Sequence, residues 1–206
     1  MITKVCGLRD KENIKNVCAS DIDMIGLNFY PLSSRYVAAY DEETIAVIPN
    51  YIKKVGVFVN AELSFITDKI RTYKLDYAQL HGDEDISYCE EISKLCRVIK
   101  VFRIDDSFDW TVVPSFSRVA EYYLFDTKTP AFGGSGKKFG WDILENYTEA
   151  TPFLLSGGIG PADAIMINQF QHPQFVGIDI NSKFEIAPAV KSKQLIDTFL
   201  TVLNIS

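Results

Sequence analysis

Apolar positions along the chain fall into two rhythms. Short runs rich in β-branched and aromatic residues recur at 2–6 (ITKVC), 23–29 (DMIGLNF), 53–59 (KKVGVFV), 76–80 (DYAQL), 97–102 (RVIKVF), 122–126 (YYLFD), 152–156 (PFLLS) and 175–180 (FVGIDI). Between most of them lie segments whose apolar residues return near the helical period, among them DKENIKNVCA, EETIAVIPNYI, AELSFITDKIRTY, DEDISYCEEISKL, PADAIMINQF and KSKQLIDTFLTVL. Strands alternating with helices imply a parallel sheet, because a parallel neighbour needs a crossover that is usually helical. Eight such units predict an α/β fold, a single-domain (βα)8 TIM barrel over residues 1–206. An open doubly wound sheet would want a G-x-G-x-x-G turn after the first strand, and the turn here reads CGLRD.

Two stretches break the rhythm. Residues 104–120 contain a proline and little periodicity, so one crossover helix is expected to be degenerate. Residues 127–141 (TKTPAFGGSGKKFGW) form a Gly-rich loop directly after the sixth strand, a length that compact domains seldom keep without a use for it.

In such a barrel the reacting groups sit at the carboxyl ends of the strands, where all the loops converge. Cys6 closes the first strand and Gly7 lets the chain turn there; the thiol is either a core filler or a group facing the mouth. Lys4 is two residues back on the same side, roughly 6–7 Å away along the strand, and its charge would favour the thiolate. Asp126 ends the otherwise apolar YYLF run. It is a cap for the following loop or a catalytic carboxyl, and burial favours the protonated form that a general acid needs. Ser156-Gly157-Gly158-Ile159-Gly160-Pro161 leads into a helix after the seventh strand, where barrels commonly bind phosphate, and Asn181 and Ser182 follow the eighth. The glycines serve a positive-φ turn, an anion site or both. Arg35 is a solvated loop residue or a fork for a carboxylate. Gln79, His81 and Asp179 complete the polar strand ends, with His81 open to a structural reading.

Composition narrows the class. With 206 residues, 47% hydrophobic and 23% charged, the chain is an ordinary folded domain. A net charge of −6, a pI near 5.0 and no Lys/Arg run argue against nucleic acid as a partner, yet leave room for a small anionic ligand held by backbone N–H groups. The N-terminus turns charged within its first ten residues and no stretch of about 18 apolar residues occurs, so a cytoplasmic protein without membrane contact is expected. Cys6, Cys18, Cys89 and Cys96 are scattered, with no C-x-x-C pair and only two histidines to join them, so no metal site is expected. Free thiols follow, three as core fillers and one as a chemical group.

The ordered string KVCGLRD, GLNFYPLSSRYV, VGVFVN, QLHGDE, FDTKTPAFGGSGKKFGW, LSGGIGP and GIDINSKFE resembles the phosphoribosylanthranilate isomerase family over nearly the whole chain. The resemblance implies an Amadori rearrangement in tryptophan biosynthesis, on a phosphorylated small-molecule substrate and with no cofactor. It makes Asp126 the acid that opens the furanose ring to a Schiff base and Cys6 the base that takes the C2′ proton. It assigns the anthranilate carboxylate to Arg35, the phosphate to Gly157, Gly158 and Ser182, and pocket contacts to Gln79, His81, Asp179 and Asn181. Strands one and six are taken to flank the ribose from opposite sides of the mouth. A monomer is expected. Arg9, Asn181, Lys183 and Ser192 depart from the family pattern, which touches the phosphate and loop contacts and leaves the acid–base pair intact; Ser192 also reads as a cap for the last helix.

Three rivals remain at this level. The histidine-pathway sugar isomerase places a carboxylate where Cys6 stands. A non-catalytic phosphoribosyl-ligand barrel has no need of Cys6 or Asp126. A Schiff-base barrel enzyme would use Lys100, taken to lie in the barrel interior within the fifth strand.

Overall fold

The computed structural model describes residues 1–127 and 140–203. Eight strands, β1 (Ile2–Cys6), β2 (Met24–Asn28), β3 (Lys53–Phe58), β4 (Tyr77–Leu80), β5 (Arg97–Ile104), β6 (Tyr122–Thr127), β7 (Phe153–Leu155) and β8 (Phe175–Ile180), pair in parallel in sequence order. β8 pairs back to β1, with Lys4 opposite Asp179, and closes the barrel.

The crossovers carry helices α1 (Lys11–Val17), α2 (Glu42–Ala46), α3 (Leu63–Tyr73), α4 (Ile86–Ser93) and α5 (Ala164–Gln169), and α6 (Lys193–Leu203) follows β8. Their starts are written in the sequence: Asp10, Asp41 and Asp85 accept from the backbone N–H groups of Asn13, Thr44 and Tyr88 at 3.0, 2.6 and 2.8 Å. The Ser192 hydroxyl likewise accepts from Leu195 N at 3.3 Å at the start of α6, as the capping reading expected. The degenerate crossover is a 3-10 helix, Trp110–Phe116, built around Pro114. Among the described residues the β6–β7 crossover also holds only a 3-10 segment, Trp141–Asn146, and α2 stops well before Pro49. The loop segment 128–139 lies outside the described residues. A short hairpin after β8, β9 (Glu185–Ala187) with β10 (Val190–Lys191), had no counterpart in the periodicity reading. Among the described residues no helix is long and apolar enough to cross a membrane.

Strand parity divides the molecule into two layers. Met24, Val55, Tyr77, Ile99, Val101, Leu124 and Leu154 fill the barrel interior, while Val5, Leu27, Phe58, Phe102, Phe125 and Ile180 face the helices. Lys100, between Ile99 and Val101, therefore points outward into the helix layer, where it bonds Glu84 at 2.9 Å and the Gly82 carbonyl at 3.0 Å. This corrects the interior placement assumed for the Schiff-base rival: Lys100 is a paired structural charge. The floor of the mouth is held by a buried ion pair, Lys4 Nζ to Asp179 Oδ1 at 2.7 Å. Burial opposes the charge of Lys4, but the carboxylate beside it outweighs that and holds the ammonium above its ordinary pKa.

Candidate active site

The strand ends enclose one cavity lined by Cys6, Arg35, Gln79, His81, Asp126, Gly157, Gly158, Asp179, Asn181 and Ser182, all ten residues named from sequence. Asn28, Tyr30, Ser33, Val57, Val59, Ser156 and Ile159 complete the lining.

Cys6 is buried at the end of β1, and the space for its thiol exists because its cross-strand neighbour is Gly26; a Cβ there would lie 2.6 Å from Sγ. Burial pushes the thiol pKa up, and Lys4 and Lys191 offset this only in part. Lys4 thus acts in the direction the sequence suggested without producing a low-pKa thiol, because desolvation is the larger effect.

Asp126 is the next-to-last residue of β6, with its side chain in the mouth. Its Oδ1 accepts from Thr127 N at 2.8 Å and its Oδ2 lies 3.2 Å from His81 Nε2. In the ring of strands β6 reaches β1 through β7 and β8, so Cys6 and Asp126 stand three steps apart. That corrects the opposite-sides expectation, since a diametric partner of β1 would be β5. The arrangement puts the turns after β7 and β8 between the two groups. Gly157 and Gly158 have φ of 87° and 70°, which only glycine adopts cheaply, and a Cβ on Gly157 would collide with Thr127 and with Asp126 Oδ1 at 2.8 Å. Among the described residues none accepts a hydrogen bond from the backbone N–H of Gly157 or Gly158. Two backbone donors on residues that line the cavity suit an anion.

Arg35 reaches the same mouth from the loop after β2, passing over Gly7, where a Cβ would lie 2.4 Å from Arg35 Cδ. Its fork is engaged by Glu185, Nε to Oε1 at 2.8 Å and Nη2 to Oε2 at 2.7 Å. Lys191, fully buried, bonds Glu185 Oε1 at 2.5 Å and Asn181 Oδ1 at 2.6 Å. Two cations around one carboxylate leave this wall with a net positive charge beside Asn181 and Ser182. Glu185 and Lys191 were missed from sequence, since both sit in the unforeseen hairpin. Burial raises the pKa of Glu185, but Arg35 and Lys191 together bring it below the ordinary value, while burial lowers that of Lys191. That leaves the Nη1 side of the Arg35 fork for any further carboxylate, a narrower contact than the open fork the sequence suggested.

A closed parallel barrel with a thiol, a carboxyl and a Gly-rich turn at one mouth has the parts of a barrel enzyme suited to acid–base chemistry on a small anionic substrate. The family model for N-(5′phosphoribosyl)anthranilate (PRA) isomerase matches residues 3–202. N-(5′-phosphoribosyl)anthranilate isomerases from Parabacteroides distasonis and Phocaeicola vulgatus are 45% and 41% identical, aligned over 97% and 99% of this chain and 92% and 98% of theirs. The crystal structure of the Thermotoga maritima enzyme superposes with a TM-score of 0.86 at 31% identity, covering 98% of each chain. A phosphoribosyl anthranilate isomerase solved with reduced 1-(o-carboxyphenylamino)-1-deoxyribulose 5-phosphate has a TM-score of 0.82 at 27% identity, again over 98% of each chain. The chain belongs to the N-(5′-phosphoribosyl)anthranilate isomerase family. It is an isomerase of tryptophan biosynthesis, converting N-(5′-phosphoribosyl)anthranilate to 1-(2-carboxyphenylamino)-1-deoxyribulose 5-phosphate by an Amadori rearrangement.

Proposed function

We propose that Cys6 and Asp126 carry the two proton transfers of this rearrangement. Asp126 gives its proton to the furanose ring oxygen. The C1′–O bond breaks with its electron pair going to that oxygen, and the anthranilate nitrogen closes the Schiff base. Cys6, as thiolate, then takes the C2′ proton, and the resulting enolamine tautomerises to the ketone. The observation that carries the assignment is the shared mouth: a thiol and a carboxyl line one cavity, with the turns after β7 and β8 between them.

The same geometry supports the binding roles. The N–H groups of Gly157 and Gly158, with Ser182, would take the phosphate, and Arg35 the carboxylate. Gln79, Asp179 and Asn181 stand as polar walls around the ribose, Asp179 held by Lys4 and Asn181 by Lys191. Every group named comes from one barrel, so a single chain, acting as a monomer, suffices for the chemistry.

Substrate deuterated at C2′ separates the two roles. In Cys6→Ser the C2′ transfer becomes the slow step, so the isotope effect on kcat/KM grows beyond the parent's. In Asp126→Asn ring opening limits and the effect disappears. The same isotope effect in both variants would overturn the division of labour.

A further inference from the structure

Gln79 and His81 project from alternate positions at the end of β4 into the mouth and meet Asp126 there. Gln79 Nε2 donates to His81 Nδ1 at 3.3 Å. A neutral imidazole that accepts at Nδ1 carries its proton on Nε2. That nitrogen lies 3.2 Å from Asp126 Oδ2 but off the line of a good hydrogen bond, so among the described residues it is a buried donor without an aligned acceptor. Buried donors are rarely left so, and catalytic hydrogen bonds often tighten only when substrate is present.

The turn that carries His81 is pinned from outside the barrel. Glu84 Oε2 accepts from Gly82 N at 2.9 Å, and Lys100 Nζ donates to the Gly82 carbonyl at 3.0 Å and to Glu84 at 2.9 Å. The ring is therefore held against Asp126 by a network that itself touches nothing in the mouth.

We infer that His81 is a positioning residue for Asp126: its Nε2–H stands ready to hydrogen-bond the carboxylate that appears as Asp126 gives up its proton, and Gln79 fixes the tautomer that makes this possible. His81 keeps its own proton throughout; the proton that moves is that of Asp126, to the ring oxygen. This moves His81 from the substrate contacts to the support of the acid, and it rests on the reading of Asp126 as the acid.

The test is a double-mutant cycle in steady-state turnover of phosphoribosylanthranilate, with His81→Leu, His81→Gln, Asp126→Asn and the His81→Leu/Asp126→Asn pair. Affinity for the reduced product 1-(o-carboxyphenylamino)-1-deoxyribulose 5-phosphate is measured alongside. Loss of one hydrogen bond to a charged group predicts that His81→Leu lowers kcat about 10- to 100-fold. Affinity for the product analogue should stay within about twofold. Glutamine, whose Nε2 can reproduce the donor, should restore most of kcat, and in the Asp126→Asn background His81→Leu should change little. An undiminished effect of His81→Leu in that background, weakened analogue binding with kcat intact, or a His81→Gln variant as slow as His81→Leu would each overturn the inference. Parental turnover by Asp126→Asn would instead overturn the acid assignment beneath it.

Discussion

Gly26→Ala should damage the enzyme without replacing either catalytic group. Gly26 faces Cys6 across the β1–β2 ladder, and a methyl placed there would lie 2.6 Å from Cys6 Sγ, 3.0 Å from its Cα and 3.2 Å from its Cβ. Carbon contacts settle at about 3.5–4.0 Å, so the thiol has to yield by about 1 Å. The main chain gives little, because the Gly26 carbonyl accepts from Gly7 N at 2.9 Å and Leu8 N at 3.2 Å. Overpacking of this kind costs about 1–3 kcal/mol. In a chain of this size each kcal/mol lowers Tm by about 2–4 °C. A reactive group displaced by 1 Å loses about a hundredfold in rate. Turnover is measured as loss of phosphoribosylanthranilate fluorescence well below Tm, and thermal unfolding is repeated in a Cys6→Ala background, where the sulfur clash is gone. The reasoning fails if Gly26→Ala turns over at the parental rate, or if its cost in stability is as large without the thiol as with it.

Because burial raises the Cys6 pKa, the thiolate ultraviolet absorbance that the parent shows over Cys6→Ser should still be rising past pH 9, the ordinary thiol value; a plateau reached below about pH 8 would contradict this. Lys4→Met strands the Asp179 carboxylate with, among the described residues, only Ser156 Oγ at 3.4 Å, and breaking such a buried pair should cost about 3–5 kcal/mol in urea unfolding. Glu185 has a folded-state pKa below its ordinary 4.5, so its carboxylate stabilises the fold above that value and the contribution is lost as pH falls through the lower one. Glu185→Gln should therefore unfold at lower urea than the parent near pH 7, with the gap closing towards pH 3; a gap that stays constant with pH would refute the assignment.

The strands were legible because a parallel barrel buries both faces of each one, so they read as near-continuous apolar runs that end abruptly in polar residues. Those ends converge in a barrel, which is why ten residues scattered from Cys6 to Ser182 share one cavity. What escaped has equally physical reasons. The hairpin strands Glu185–Ala187 and Val190–Lys191 are too short to show a period, and the turn between them holds Ala189 at φ 64°, which nothing in its side chain announces. Glu185 and Lys191 were hidden with it. Lys100 carried a usable signal: it shares strand parity with Val98 and Phe102, both helix-facing, and not with Ile99 and Val101. The occupancy of the Arg35 fork could not be read from sequence, because its partner lies 150 residues away.

The central claim is that one thiol and one carboxyl run the isomerisation. Turnover of phosphoribosylanthranilate by the parent, Cys6→Ser and Asp126→Asn, with fold checked by thermal unfolding, tests it most directly. The account predicts a folded set in which each variant loses roughly a hundredfold or more in kcat, the usual scale of acid–base catalysis. A folded variant of either residue that keeps the parental rate would contradict it.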